Sequence, residues 1–130
     1  MSNFLQRMIE RANADKKTIV LPETTDIRIL KAAALIQEQG FARIVLVGDK
    51  AAMETLGAGL NFSEAIFVNP ETSEKFEDYA NAFYELRKNK GMTLEKARET
   101  MKNPLYWGVM MVKQGEAHGM VAGAINSTGN

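Results

Sequence analysis

Two short runs decide what this chain can fold into. Lys17-Thr18-Ile19-Val20-Leu21 ends at Pro22, and Arg43-Ile44-Val45-Leu46-Val47 ends at Gly48-Asp49. A strand with one wet face alternates polar and apolar residues. These runs are almost continuously apolar and β-branched, which is the pattern of strands buried on both faces. Between them Asp26 can cap a helix through Ile27, Leu30, Ala34 and Leu35 to Gln39, closed by Gly40. Ala51–Leu56 suits a further short helix, the glycines near position 58 a turn, and Ala65–Val68 a third strand ended by Asn69-Pro70. Strand, helix, strand, helix, strand is the order of parallel crossover units, so the expected class is α/β: a three-layer αβα arrangement around a mostly parallel sheet.

The rest of the chain is read mainly as helix. Phe4, Leu5, Met8, Ile9 and Ala12 fall at helical spacing, so Asn3–Ala14 is expected to be an amphipathic helix. Ser73–Lys90 places Phe76, Tyr79, Ala80 and Phe83 on one stripe and can stop at Gly91, and Thr93 can cap a helix through Met101. Asn103 and Pro104 suit the N-cap and first helical position of another, with Leu105, Trp107, Met110 and Met111 on its surface and Gly115 as its stop. Gly119–Ala124 then supplies one brief buried strand. Ile125-Asn126-Ser127-Thr128-Gly129-Asn130 places hydroxyls and an amide beyond its carboxyl end, where open α/β sheets bind ligands. The Ser/Thr/Gly/Asn cluster would ordinarily cap a following helix, so the expectation is an incomplete domain and a piece of a longer protein.

Composition excludes several function classes. Sixteen Lys plus Arg balance sixteen Asp plus Glu, so no global field draws the chain to nucleic acid or an anionic membrane. There is no cysteine, which removes disulfides, zinc thiolate sites and cysteine nucleophiles, and a single histidine, His118, rules out a multi-histidine metal site within the chain. The charged amino terminus lacks the apolar region of a signal peptide, and a cytoplasmic setting is the default expectation. No Walker sequence or GxGxxG fingerprint occurs.

A few residues could carry chemistry. Arg28 sits in the first turn of the helix after the first strand; it reads either as a solvent-exposed arginine or as an anion-binding one reaching over the crevice. Glu23 in the same loop reads as a helix-proximal carboxylate or a partner for Arg28. Arg87, eleven residues after Phe76, returns to nearly the same angular position and should not point straight to open water. It either snorkels along the apolar face, pairs with an acid or anchors a phosphate-bearing ligand. Lys88 and Lys90 complement a helix C-terminus. His118 reads as structural or solvent-facing, and Tyr106, Trp107 and the Met110-Met111 pair as core. Ser127 and Thr128 are either cap residues or hydroxyl donors to phosphate.

The segments IVLPETTDIRILKAA, ARIVLVGD and YELRKNKGMTLEKARETMKNPLYWGVMMVKQGEAHGMVAGAINST, taken in order, resemble the amino-terminal part of the phosphate acetyltransferases. The resemblance covers Lys16 through Asn130. It implies a two-domain α/β enzyme, similar in fold to isocitrate and isopropylmalate dehydrogenases and typically dimeric, with the active site between domains. In that frame residues 1–130 are the amino-terminal part of the first domain, and the second domain is absent. The implied reaction is acetyl-CoA + phosphate = acetyl phosphate + CoA, with coenzyme A as substrate and no permanently bound cofactor or metal. Arg28 and Arg87 match arginines implicated in binding CoA or phosphate. Ser127 and Thr128 match the pair lining the phosphate side of the cleft. This sequence has Thr24 where PEG is common, His118 where GEADGMVSGA has Asp, and Ala122 where it has Ser. The family's next arginine and its carboxyl-terminal serine, arginine and aspartate lie outside the chain, so no catalytic residue is assigned and the chain alone is expected to be inactive.

Three other readings stay open at this point. A butyryl or propionyl preference differs by only a few kcal/mol in an acyl pocket the chain does not display. A non-catalytic module binding acetyl-CoA as an effector, like that at the carboxyl end of malic enzymes, is a second, against which the Met1 start speaks. An assembly module, motivated by the apolar Trp107–Met111 stretch, is a third.

Overall fold

The computed structural model describes residues 16–123. Strand β1 (Lys17–Leu21), helix α1 (Ile27–Gln39), β2 (Ala42–Val47), α2 (Lys50–Leu56) and β3 (Ile66–Val68) alternate as expected. Then come α3 (Phe76–Arg87), a 3₁₀ turn at Lys88–Lys90, α4 (Leu94–Met101), α5 (Pro104–Lys113) and β4 (Gly119–Met120). The four strands form one sheet in the order β3-β2-β1-β4, and every pairing is parallel. The amphipathic helix read over Asn3–Ala14 lies outside the described residues, as does the stretch carrying Ser127 and Thr128.

Both faces of the sheet are covered, which is why its strands read as nearly continuous apolar runs. Leu21, Ile44 and Leu46 point to one face and bury Leu30 and Ala33 of α1 and Met53 of α2. Val20, Val45 and Val47 point to the other and meet Tyr79, Ala80 and Phe83 of α3, Ala97 and Met101 of α4, and Trp107, Met110 and Met111 of α5. Each large apolar side chain withdrawn from water this way contributes about 1.5–3 kcal/mol before its entropy cost. Trp107 is the largest fully buried one, with its ring 4.4 Å from that of Tyr79 and 6.4 Å from that of Phe76. Gly108 lets α5 lie close on the sheet, since a Cβ there would come within 2.7 Å of the Met120 sulfur and 3.1 Å of Val20.

The helix ends follow local chemistry. Asp26 accepts from the Arg28 N–H, Asp49 from Ala51 and Ala52, Thr93 from Lys96, and Asn103 from Leu105. Such caps are worth about 1 kcal/mol each. Gly40, Gly91 and Gly115 all take positive φ where a stop was expected. Several boundaries shift, and two of the shifts have a plain local cause. α3 begins at Phe76 rather than Ser73, because the Ser73 hydroxyl and carbonyl accept from Lys75 and Phe76 and make a turn instead. β4 is two residues long rather than six: the Val121 N–H still bonds to Val20, but Gly123 at φ +121° turns out of the extended run.

The segment after α5 is tied to α3 by Glu116, whose carboxylate pairs with Lys75 and accepts from the Tyr79 hydroxyl at 2.6 Å. Burial pushes the Tyr79 phenol well above its ordinary range, and its bond to Glu116 adds to the rise. For Glu116, burial favours the neutral acid, but the hydrogen bonds from Lys75 and Tyr79 outweigh it and hold the carboxyl below its ordinary value. A depressed folded pKa means stability that is present above the unfolded value and lost as pH falls through the folded one. Glu116 is partly exposed, so the contribution is about 1 kcal/mol. Urea titrations from neutral to acid pH are expected to show Glu116→Gln less stable than the parent at neutral pH, with the gap closing at acid pH. A constant gap would show that the ion pair contributes nothing.

Candidate functional site

The carboxyl ends of the strands define one edge of the molecule, and residues just past β1 stitch that edge in both directions. The Thr24 hydroxyl donates to the Val47 carbonyl at 2.9 Å, tying β1 to β2. Gly48 N–H donates to the Val68 carbonyl at 2.8 Å, tying β2 to β3. On the other side the Glu23 carboxylate accepts the Gly123 N–H at 2.7 Å, tying β1 to the exit of β4. Glu23 and Thr24 are the buried polar residues among those described.

Above this row lies an open cleft of about 440 Å³. Its walls come from the three loops after β1, β2 and β3 and from the amino end of α5, including Thr24, Asp49, Asn69 and Asn103. Its charged lining is Glu23, Asp49 and Glu71 against Lys102, and the Lys102 ammonium lies 3.4 Å from Glu99. An anion entering this wall therefore meets more carboxylates than cations, and further cations must reach it from elsewhere.

Arg28 stands at this edge without lining the cleft. Its guanidinium makes a bidentate pair with Asp26, with Nε 3.0 and 3.1 Å from the two carboxylate oxygens, while its side chain stays 72% exposed. That hydrogen bond holds the Asp26 carboxyl below its ordinary value and raises the arginine's, with Glu23 adding a weaker attraction. Glu23 is thus more than a helix-proximal carboxylate or a partner of Arg28: it is a buried acceptor for backbone 100 residues away. No local signal in the sequence marks that role.

Arg87 is the last residue of α3. Tyr79, early in α3, meets Glu116 beyond the end of α5, whereas Phe83 packs edge-on to Tyr106 at the start of α5. Both contacts join α3 to α5 and to the turn that follows it. Arg87 is exposed, with its guanidinium 5.6 Å from the centre of the Phe83 ring, which is the snorkelling arrangement among its alternatives. Lys88 pairs with Glu85. The structure does not bring Arg28 and Arg87 together in the cleft.

His118 sits at the opposite edge. Its N–H donates to the Thr18 carbonyl at 2.8 Å and its Nδ1 accepts from the Thr18 N–H at 2.9 Å, so the imidazole extends the β1–β4 ladder at the amino ends of the strands. The residue is structural, as read. Its departure from the family's aspartate falls away from the cleft.

The model of the family described as phosphate acetyl/butaryl transferase matches residues 3–130. The chain belongs to that family. It is 56% identical over 128 residues to the phosphate acetyltransferase of Acetivibrio thermocellus, covering 98% of this chain and 39% of the relative. It is 50% identical over 126 residues to that of Thermoanaerobacterium thermosaccharolyticum, covering 97% of this chain and 38% of the relative. The EutD phosphotransacetylase from Staphylococcus aureus superimposes with a TM-score of 0.84 at 34% identity, over 99% of this chain and 39% of that one. A phosphotransacetylase from Streptococcus pyogenes gives 0.84 at 33% identity, over 98% and 39%. The chain thus spans about two-fifths of the length of these relatives. Among the described residues no cluster of three or more His, Cys, Asp or Glu is placed to hold a metal ion, and no helix is long and apolar enough to cross a membrane.

Proposed function

We propose that this chain forms part of the first α/β domain of a phosphate acetyltransferase, which interconverts acetyl-CoA and phosphate with acetyl phosphate and CoA. The observation that carries the reading is the 56% identity to a phosphate acetyltransferase over 98% of the chain. In this reading the strand-end cleft is one wall of a site closed by a second domain, the whole resembles the isopropylmalate dehydrogenase-like fold, and the enzyme is a cytoplasmic homodimer. Arg28 and Arg87 bind CoA or phosphate, and Ser127 and Thr128 donate hydroxyls to phosphate.

The chemistry explains why the wall is shared. The CoA thiol loses its proton to a base, the thiolate sulfur bonds to the acetyl carbonyl carbon, and the carbon–oxygen bond to phosphate breaks as phosphate departs. Donors must stabilise the oxyanion of the addition step, and cations must meet the leaving phosphate. No enzyme nucleophile is needed when the cleft aligns both substrates. The family description also covers butyryl transfer. One assay addresses both readings: a full-length protein carrying this sequence is supplied with CoA and either acetyl or butyryl phosphate, and thioester formation is followed. Faster turnover of acetyl phosphate is expected. No thioester from either would overturn the reading, and a butyryl preference would replace it with the second.

A further inference from the structure

Of the arginines among the described residues, Arg28 is held by Asp26, Arg43 by the Lys16 carbonyl and Arg98 by Glu77, whereas the Arg87 guanidinium has no carboxylate or hydrogen-bond partner there. It rests 5.6 Å from the centre of the Phe83 ring, and the Tyr106 ring, on another helix, lies 6.0 Å from that same ring. Phe83 is itself buried, while the two groups it joins are both exposed: Tyr106 keeps 41% of its surface, and its hydroxyl has no partner among the described residues. The residues just before Tyr106, Lys102 through Leu105, line the strand-end cleft. A tyrosine exposed by itself needs no explanation. A flat ring beside an unpaired guanidinium is a different matter, because bases stack on aromatic faces and phosphates take the guanidinium fork.

We propose that Tyr106 is a further CoA-binding residue: its ring takes the adenine base by stacking, just outside the cleft, and the Arg87 guanidinium beside it meets the phosphates. The role rests on the acyl-transfer reading above, in which CoA is a substrate. CoA carries its base and phosphates at one end of a long flexible arm and its thiol at the other, so the nucleotide can be held beside the cleft while the sulfur reacts within it. The charges divide the ligand in the same way. The cleft wall sets Glu23, Asp49 and Glu71 against Lys102 and disfavours the phosphates, whereas the uncharged arm meets no such penalty. Arg87 supplies the cation that the wall lacks. The Phe83 ring beside the guanidinium restrains it before the ligand arrives, which lowers the ordering cost of binding.

The test compares Tyr106→Phe, Tyr106→Leu and Tyr106→Ala in a full-length protein carrying this sequence. KM for CoA, KM for acetyl phosphate and the thermal midpoint are measured for each, and calorimetry follows the binding of ADP, which keeps the base and pyrophosphate of CoA without its arm. Stacking of one base on an aromatic ring corresponds to about 10- to 100-fold in affinity. The Leu and Ala variants are therefore expected to raise the KM for CoA and to weaken ADP by that factor, with the KM for acetyl phosphate in place. Tyr106→Phe keeps the flat ring and is expected to stay near the parent. Leu also preserves apolar packing on Phe83, so it decides alone should the Ala variant fail to fold. A lower thermal midpoint with the KM for CoA unchanged would show that the ring is covered by another part of the full-length protein, and would overturn the proposal. So would a rise in the KM for acetyl phosphate as large as that for CoA, or ADP binding that ignores the Leu substitution. A parent that forms no thioester overturns the assigned reaction, and the ADP measurement then decides the nucleotide site by itself; an active parent indifferent to Tyr106 removes this role only.

Discussion

The 130-residue chain assayed by itself is expected to form acetyl-CoA from acetyl phosphate and CoA at least about 10⁴-fold more slowly than a full-length protein carrying it, because removing a single oxyanion donor already costs about 10²–10³. On the proposed function, more than one such group has to come from outside the described cleft. Its charged lining is Glu23, Asp49 and Glu71 against Lys102, and Arg28 is engaged with Asp26. That wall attracts neither phosphate nor the pyrophosphate of CoA strongly. The chain also spans only about two-fifths of its relatives, so the alignment of two substrates between opposing walls is lost as well. The measurement is thioester formation by the purified 1–130 polypeptide beside the full-length protein, with both freed of host enzyme. Turnover within about tenfold of the full-length protein would place the active site inside this segment and remove the need for a second wall, since one lost donor alone costs more than that.

Gly48→Ala is expected to destabilise the chain by about 3 kcal/mol, from a strained backbone and an overfilled corner together. Gly48 has φ +147°, and a Cβ there would lie 2.6 Å from the Thr24 hydroxyl oxygen. That hydroxyl is not free to swing away without cost, because it donates to the Val47 carbonyl. For a chain of 130 residues the loss corresponds to a fall of about 11 °C in the thermal midpoint. Pairing it with Thr24→Gly separates the two causes. The double variant is expected to recover the steric part and keep the backbone part, so the two substitutions are non-additive. Simple additivity would show that Thr24 and Gly48 do not compete for this space, and a midpoint shift under a few degrees would show that alanine adopts the backbone conformation without strain.

Much of the architecture is written locally. Ile19–Leu21 and Ile44–Val47 announce strands buried on both sides because each of their side chains needs an apolar neighbour whichever way it points. Asp26, Thr93 and Asn103 announce helix starts because a short polar side chain meets an N–H two or three residues ahead, and Gly40, Gly91 and Gly115 announce stops because few other residues take their φ. The parallel α/β class follows from the order of those elements.

What only the tertiary structure decides is which distant groups meet. The pairing of β4 with β1, the burial of Glu23 and the link from its carboxylate to Gly123 join positions 100 residues apart, and no helical or strand period encodes them. Arg87 shows the same limit. Its angular position along α3 was legible, but whether it would face an acid, a phosphate or an aromatic ring depended on what the neighbouring helix presents at that height. In the folded chain it lies over the Phe83 ring and is exposed. His118 likewise belongs to the amino edge because β4 pairs in register with β1, a fact set by where the chain returns after α5. Local hydrogen bonds and periodicity act over a few residues and can be read in order; the charge and shape of the cleft are sums over loops that sequence order keeps apart.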